Sequence, residues 1–431
     1  MTAYPGKGGE LLEYAVESAL GTAGSWGAIR QEEGTEFPTD EVKLELPSYT
    51  GRGHWGNCDD NPVTHENIQE GAAKLNMLVR GNSTVSSDAP LVDILRSAGL
   101  NYKRTTSVNL DGYTSGVAFS AGAAGSAAPG AAMALQADDG NHWPFIVANQ
   151  PAAAAFNFIP GYAVPGAVAA PASNDLYGAT CLTPRAQQVP TTTTLSFRTM
   201  IRQFNTTYPV KYTYSGCALS EVPKLTFEPG KPIKFDMSLH VADSSLDDAA
   251  FSSPDTVYND DYLFSIWGGA GSQFAFATAN TAGAITAGTY NLIKAEVDFK
   301  HKVVPIVGTG TTGTLNNIQG YMAVPGHAEI KLTMLCDMQF WNDISNGTFV
   351  KKYIHFAQAG GTVGAAVKPF FGVFFPRCTQ FANPKLIDKR GDYVQCEVMY
   401  KATTANWNDV LTVDVDDTAP WAIVVGSAVA A

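Results

Sequence analysis

The densest group of potential metal ligands in the sequence is His54, Cys58, Asp59, Asp60 and His65. Zinc is held by nitrogen and sulfur donors of these types, but the spacing fits no finger or ribbon pattern. Gly51, Gly53, Gly56 and Pro62 surround the group as they would an exposed loop, so no metal is expected there. Acidic pairs stand at Asp59-Asp60, Asp247-Asp248, Asp260-Asp261 and Asp416-Asp417. Glycoside hydrolysis needs two carboxylates facing each other across a cleft, which adjacency along the chain does not supply. Asp414, Asp416 and Asp417 could offer oxygens to calcium, but they flank a strand pattern and read as a solvated edge. There is no GxSxG elbow, and the glycine run from Gly308 to Gly313 lacks a P-loop lysine and reads as a hairpin tip. No catalytic constellation emerges, so the residues point to a non-enzyme without cofactor.

Composition narrows the classes further. The chain has 431 residues, 45% hydrophobic and 16% charged, the latter below the ~25% of ordinary soluble domains. That balance supports a sizeable core and a surface rich in small, uncharged groups. A net charge of −12 argues against a nucleic-acid binder, which needs a basic footprint to displace counterions. The longest apolar stretches, Ala118 to Leu135 and Pro151 to Pro171, are interrupted by Pro129, Pro160 and Pro165, so no membrane span is expected. Near the N-terminus, Glu10, Glu13 and Glu17 replace the apolar run of a secretory signal. The six cysteines form no CxxC pair and are expected as free buried thiols of a cytoplasmic product.

The elements that must position any site are strands. Ile233, Phe235, Met237, Leu239 and Val241 alternate with Lys234, Asp236, Ser238 and His240. The same period of two runs through Ile293 to Phe299, Ile330 to Met334, Val394 to Tyr400, Val42 to Leu46 and Leu75 to Val79. Alternation puts one side chain set in the core and the other in water, as in antiparallel sheets. His240 falls on a wet face and is expected to be solvated. Further strand candidates are Leu195 to Ile201, Tyr208 to Tyr214, Phe370 to Phe375 and Val410 to Val415. One short helix is expected, capped by Asp88, with Leu91, Ile94, Leu95 and Ala98 on one face and Gly99 as its stop. Leu11 to Leu20 suits a helix or a strand equally. The expected class is therefore mainly β, an antiparallel sandwich or barrel with one or two short helices and loop-rich insertions. Its expected parts are 1–100, an Ala/Gly/Pro-rich exterior insertion at 101–190, and 191–431 with a second insertion near 242–290.

The order of these features resembles the tail tube (major tail) proteins of tailed bacteriophages. It begins with Glu17-Ser18-Ala19-Leu20-Gly21-Thr22-Ala23, then a strand (Glu41 to Tyr49), a long polar loop, and a strand (Ala72 to Gly81). The helix Ala89 to Gly99 follows, then Leu195-Ser196-Phe197, the strand ending in Gly216-Cys217, Pro229-Gly230, and the closing Gly391-Asp392-Tyr393-Val394. The resemblance implies a structural virion protein assembled in the host cytoplasm. Homohexameric rings would stack into a hollow tail that touches other tail proteins and conducts DNA without binding it specifically. An acidic lumen would let a duplex slide where a basic one would grip it. Lys234, Lys294, Lys300, Lys331 and Lys401 lie on wet faces, so their strands either face away from a channel or pair them with acids. In the family a loop like that from Pro47 to Glu70 reaches the adjacent ring. Residues 47–70, with Tyr49, His54 and Trp55, are accordingly expected to contact the next ring, the alternative being a surface loop with Trp55 buried. The apolar stretch Ala419 to Ala431 is expected to pack against a neighbour. The competing readings are a capsid-decorating, adaptor or sheath-like virion protein, a glycan-binding β protein, and a β-rich hydrolase using Asp59, Asp60 or Asp260.

Overall fold

The structure is a computed structural model. It describes residues 12–29, 35–37, 48–49, 63–64, 71–79, 88–107, 110–114, 118–121, 131–136, 141–152, 155–159, 176–185, 187–201, 210–247, 267–268, 271–278, 291–307, 318–345, 352–360, 367–389, 393–403, 405–406 and 418–429. Of these, 67% are strand and 6% helix, so the chain is mainly β, and all its sheet pairings are antiparallel.

Three sheets stack as layers. The front sheet runs in the order Thr22–Ala23, Leu12–Ala19, Leu195–Ile201, Val210–Leu219, Lys234–Val241, Gly71–Leu78. Gly27–Ile29 adds to its second strand and Asp243–Asp247 to its fourth. The central sheet has eleven strands. Its longest, Val367–Gln380, pairs with Lys352–Ala359 on one side and with Ala422–Val429 on the other, where its last residues meet Tyr393–Ala402. The back sheet has six strands, including Ala132–Gln136, His142–Ala152 and Leu176–Gly178.

Among the described residues two apolar cores stand out. The larger lies between the front and central sheets and joins Leu75, Phe197 and Phe235 to Phe371, Val373, Phe375, Ile423 and Val425. The smaller lies behind the central sheet, where Phe370, Phe374, Ala422 and Val424 meet Ala132, Ala134 and Ile146. Odd and even residues of one strand thus serve different cores. A strand covered on both faces loses its polar alternation, and every residue from Lys352 to Ala359 is buried. Small side chains let the back layer come close. A Cβ at Gly372 would lie 3.0 Å from Cγ of Pro144 on the back sheet and 2.6 Å from the Phe374 ring.

The stretch 101–190 is tied to the central sheet at both ends, since Asn101–Arg104 pairs with Thr180–Thr183 and the latter with Ala422–Val429. Leu12–Ala19, which suited helix and strand equally, is a strand, turning at Gly21 with φ 78°. Other expectations need correction. Asp88 does not cap the helix Pro90–Arg96. Ala89 occupies the cap position, and Asp88 instead accepts from the Tyr102 and Thr180 hydroxyls and pairs with Arg104 at 3.4 Å. Gly99 ends that helix with φ 74°, the left-handed conformation its position requires. Cys336 and Cys396 are joined in a disulfide, so the six thiols are not all free; Cys181, Cys217 and Cys378 are free and buried, and Cys58 lies outside the described residues. His240 is half-buried, bonded through Nε2 to the Val303 carbonyl at 2.9 Å and stacked on Tyr321, because the hairpin Lys302–Val307/Ile318–Val324 covers it. Ala422–Val429, expected to seek a neighbour, is an interior strand of the chain's own central sheet.

Candidate functional site

Of the expected contact loop at 47–70, the structure describes a two-stranded ribbon. Ser48 pairs with Thr64 and Tyr49 with Val63. Tyr49 therefore lies in this ribbon, while His54 and Trp55 lie outside the described residues, as do Cys58, Asp59, Asp60 and His65. Asp260, Asp261, Asp416, Asp417 and the strand candidate Val410 to Val415 lie outside them too. Asp247 ends the strand Asp243–Asp247, opposite Lys211. Among the described residues no group of three or more His, Cys, Asp or Glu could hold a metal ion, and no helix is long and apolar enough to cross a membrane.

Of the lysines singled out by the strand alternation, Lys294, Lys300, Lys331 and Lys234 are paired with acids, whereas Lys401 is exposed on its strand. Lys294 meets Glu296 at 2.5 Å, Lys331 meets Glu397 at 2.9 Å, and Lys300 lies 2.9 Å from Asp298 and 3.5 Å from Glu329. Lys224 reaches Asp298 from the adjoining segment at 3.1 Å. On the front sheet Lys234 pairs with Asp236 at 2.8 Å. The hydrogen bond from Lys294 holds the Glu296 carboxyl below its usual range. Burial pushes Asp298 up, but hydrogen bonds from Lys300 and Lys224 outweigh it and the net direction is down. Carboxylates held ionised in this way are poor general acids, which need a raised pKa. Exposed pairs of this kind add little stability, but they give the sheet a face of alternating sign with no concentrated field.

A second polar group bolts the layers together. Tyr14 on the front sheet donates to Asp93 of the helix at 3.4 Å, and Arg96 reaches the same carboxylate at 3.2 Å while lying over the Tyr102 ring. Burial raises both the Tyr14 hydroxyl and the Asp93 carboxyl, with Arg96 opposing the latter. Tyr102 and Arg104 then connect to Asp88, so the helix is tied to the front sheet and to the central one.

Two features left little trace in the sequence. One is the Glu17 carboxylate, buried and accepting four hydrogen bonds; its signal is an acid at an otherwise core-facing part of a strand, four residues before Gly21. The other is a pair of strands with a single partner each among the described residues. Among the described residues Asp243–Asp247 pairs only with Val210–Leu219, and Lys385–Lys389 only with Tyr393–Ala402. Both are five residues long. No protein-family model and no curated protein matches this chain.

Proposed function

We propose that the chain is a structural virion protein, a tail tube subunit that assembles into stacked hexameric rings forming a conduit for phage DNA. The observation that carries this reading is the fit between the two strands that have a single partner among the described residues. Set antiparallel and in register, Lys385-Leu386-Ile387-Asp388-Lys389 of one copy faces Asp247-Leu246-Ser245-Ser244-Asp243 of the next. Lys385 then stands opposite Asp247, Leu386 opposite Leu246, and Lys389 opposite Asp243. Leu386 lies opposite the buried Cys396, on the core side of its sheet. Leu386 is 56% exposed in the single chain, a liability that a neighbour would remove. A contact between two different edges is heterologous and so propagates into a ring or a filament rather than closing as a dimer.

The acidic balance and the paired lysines support the same function, since a conduit must not hold DNA electrostatically. Charge reversal tests it. Lys385→Asp and Asp247→Lys should each weaken assembly roughly tenfold or more, by setting like charges across the contact, and the double variant should recover it. Sedimentation velocity across a concentration series reads the outcome. Single variants that assemble like the parent would count against this contact.

A further inference from the structure

The disulfide sits at a junction. Cys336 follows the central strand Glu329–Leu335 and donates its N–H to the Val394 carbonyl at 2.9 Å, while Cys396 lies within the neighbouring strand Tyr393–Ala402. Their Cα atoms are 5.2 Å apart, within ordinary disulfide reach, across a sequence separation of 60. The next residue, Asp337, starts the helix Met338–Ser345, its carboxylate accepting from the Phe340 N–H at 2.6 Å and its carbonyl from the Trp341 N–H at 2.9 Å. Phe340 and Ile344 are fully buried in the larger core, but the corner outside them is thinly covered. Met338 is 74% exposed, and Leu386 and Val394, which flank Cys396, are 56% and 44% exposed. Phe340, Ile344 and the Asp337 cap anchor the inner side of the helix, while its outer start buries little apolar surface and is tied to the sheet by the cross-link and the Cys336 N–H.

We propose that Cys336 and Cys396 form a redox-set staple, a dithiol that leaves the start of the helix Met338–Ser345 loose and a disulfide that locks it to the central sheet. Cys336 is half-buried and Cys396 fully buried, so Cys336 is the thiol that a small oxidant meets first. Oxidised glutathione closes the bond by exchange. The Cys336 thiolate attacks one sulfur of the glutathione disulfide and expels one glutathione thiolate; Cys396 then attacks the mixed disulfide and expels the second. Two protein thiols are oxidised, and two glutathione thiols take up the electrons and protons. The other described thiols do not compete. Burial pushes Cys181 up to about 12 and Cys217 and Cys378 well above the ordinary value, and a thiol so held is inert. This staple is independent of whether the chain builds a tube.

The test equilibrates the full chain in buffers of reduced or oxidised glutathione, then maps alkylated cysteines and backbone amide exchange by mass spectrometry. In reduced buffer Cys336 should alkylate. In oxidised buffer Cys336 and Cys396 should be found linked, with amide exchange across 337–345 slowed roughly tenfold or more. Cys336→Ser, at the half-buried position, should exchange fast in both buffers, and Cys396→Ser should match it if it folds. Two thiols that remain alkylatable in oxidised buffer would overturn the proposal, and so would a cross-link that leaves exchange across 337–345 unchanged.

Discussion

Glu17→Ala should lower the unfolding free energy by roughly 3–5 kcal/mol, a loss of the size seen when a buried charged acceptor leaves its donors unmet. Oε2 accepts from the Gly21 N–H at 2.9 Å and the Thr194 hydroxyl at 2.6 Å; Oε1 accepts from the Ser196 hydroxyl at 2.6 Å and the Gly216 N–H at 2.8 Å. One carboxylate therefore fastens the first turn and two neighbouring strands of the front sheet. Gly21 and Gly216 have φ of 78° and 63°, a left-handed backbone that aims both amides at it. Glu17→Gln keeps the shape but turns one acceptor into a donor facing donors, so an intermediate loss of roughly 2 kcal/mol is expected. Denaturant unfolding at neutral pH measures both. A loss for Glu17→Ala under about 1 kcal/mol would mean that water satisfies these donors as well as the carboxylate does.

Acid should weaken the fold before its carboxylates titrate. His355 is fully buried in the central sheet, with ring centroids 5.5 Å from Tyr353 and 5.6 Å from Phe374. Burial lowers its pKa from 6.5 to about 3. The folded state thus lacks a proton that the unfolded chain binds below pH 6.5. The stability it contributes is complete above that pH and declines by about 1.4 kcal/mol per unit as pH falls towards the folded value, about 2 kcal/mol between pH 6.5 and 5 and roughly 4 over the whole window. His301 acts in the same direction, because burial lowers it in spite of its hydrogen bond to the Ala98 carbonyl. Denaturant midpoints taken from pH 7 to pH 5 should show this slope, and His355→Leu should remove about 1.4 kcal/mol per unit of it. An unchanged slope in His355→Leu would place the acid sensitivity elsewhere.

How much could be read without coordinates depended on where water lies. Lys234–Val241, Leu292–Asp298 and Glu329–Leu335 were legible because one face of each meets solvent and carries its charges there. Lys352–Ala359 left no such trace, since both its faces are covered and its Lys352 and His355 are buried with the rest. Leu12–Ala19 was ambiguous for a related reason. Glu13 and Glu17 are polar but buried, so polarity there does not report exposure. The back layer was hidden by its own composition, because alanines carry little hydrophobic contrast even where, as at Ala132 and Ala134, they are wholly buried. Two cysteines separated by 60 residues have no spacing signature, and only the pairing of adjacent strands brings Cys336 to Cys396. The site is legible to a smaller degree. Tyr49 falls on a ribbon where a long loop was expected, and that Lys385–Lys389 and Asp243–Asp247 each have a single partner among the described residues is visible only in the pairing.

Electron microscopy of the purified full chain over a rising concentration series bears most directly on the central claim. Six-fold rings or hollow tubes that lengthen with concentration are the predicted result. Particles of a single chain at every concentration, with both edge strands covered by the chain's own residues, would contradict it.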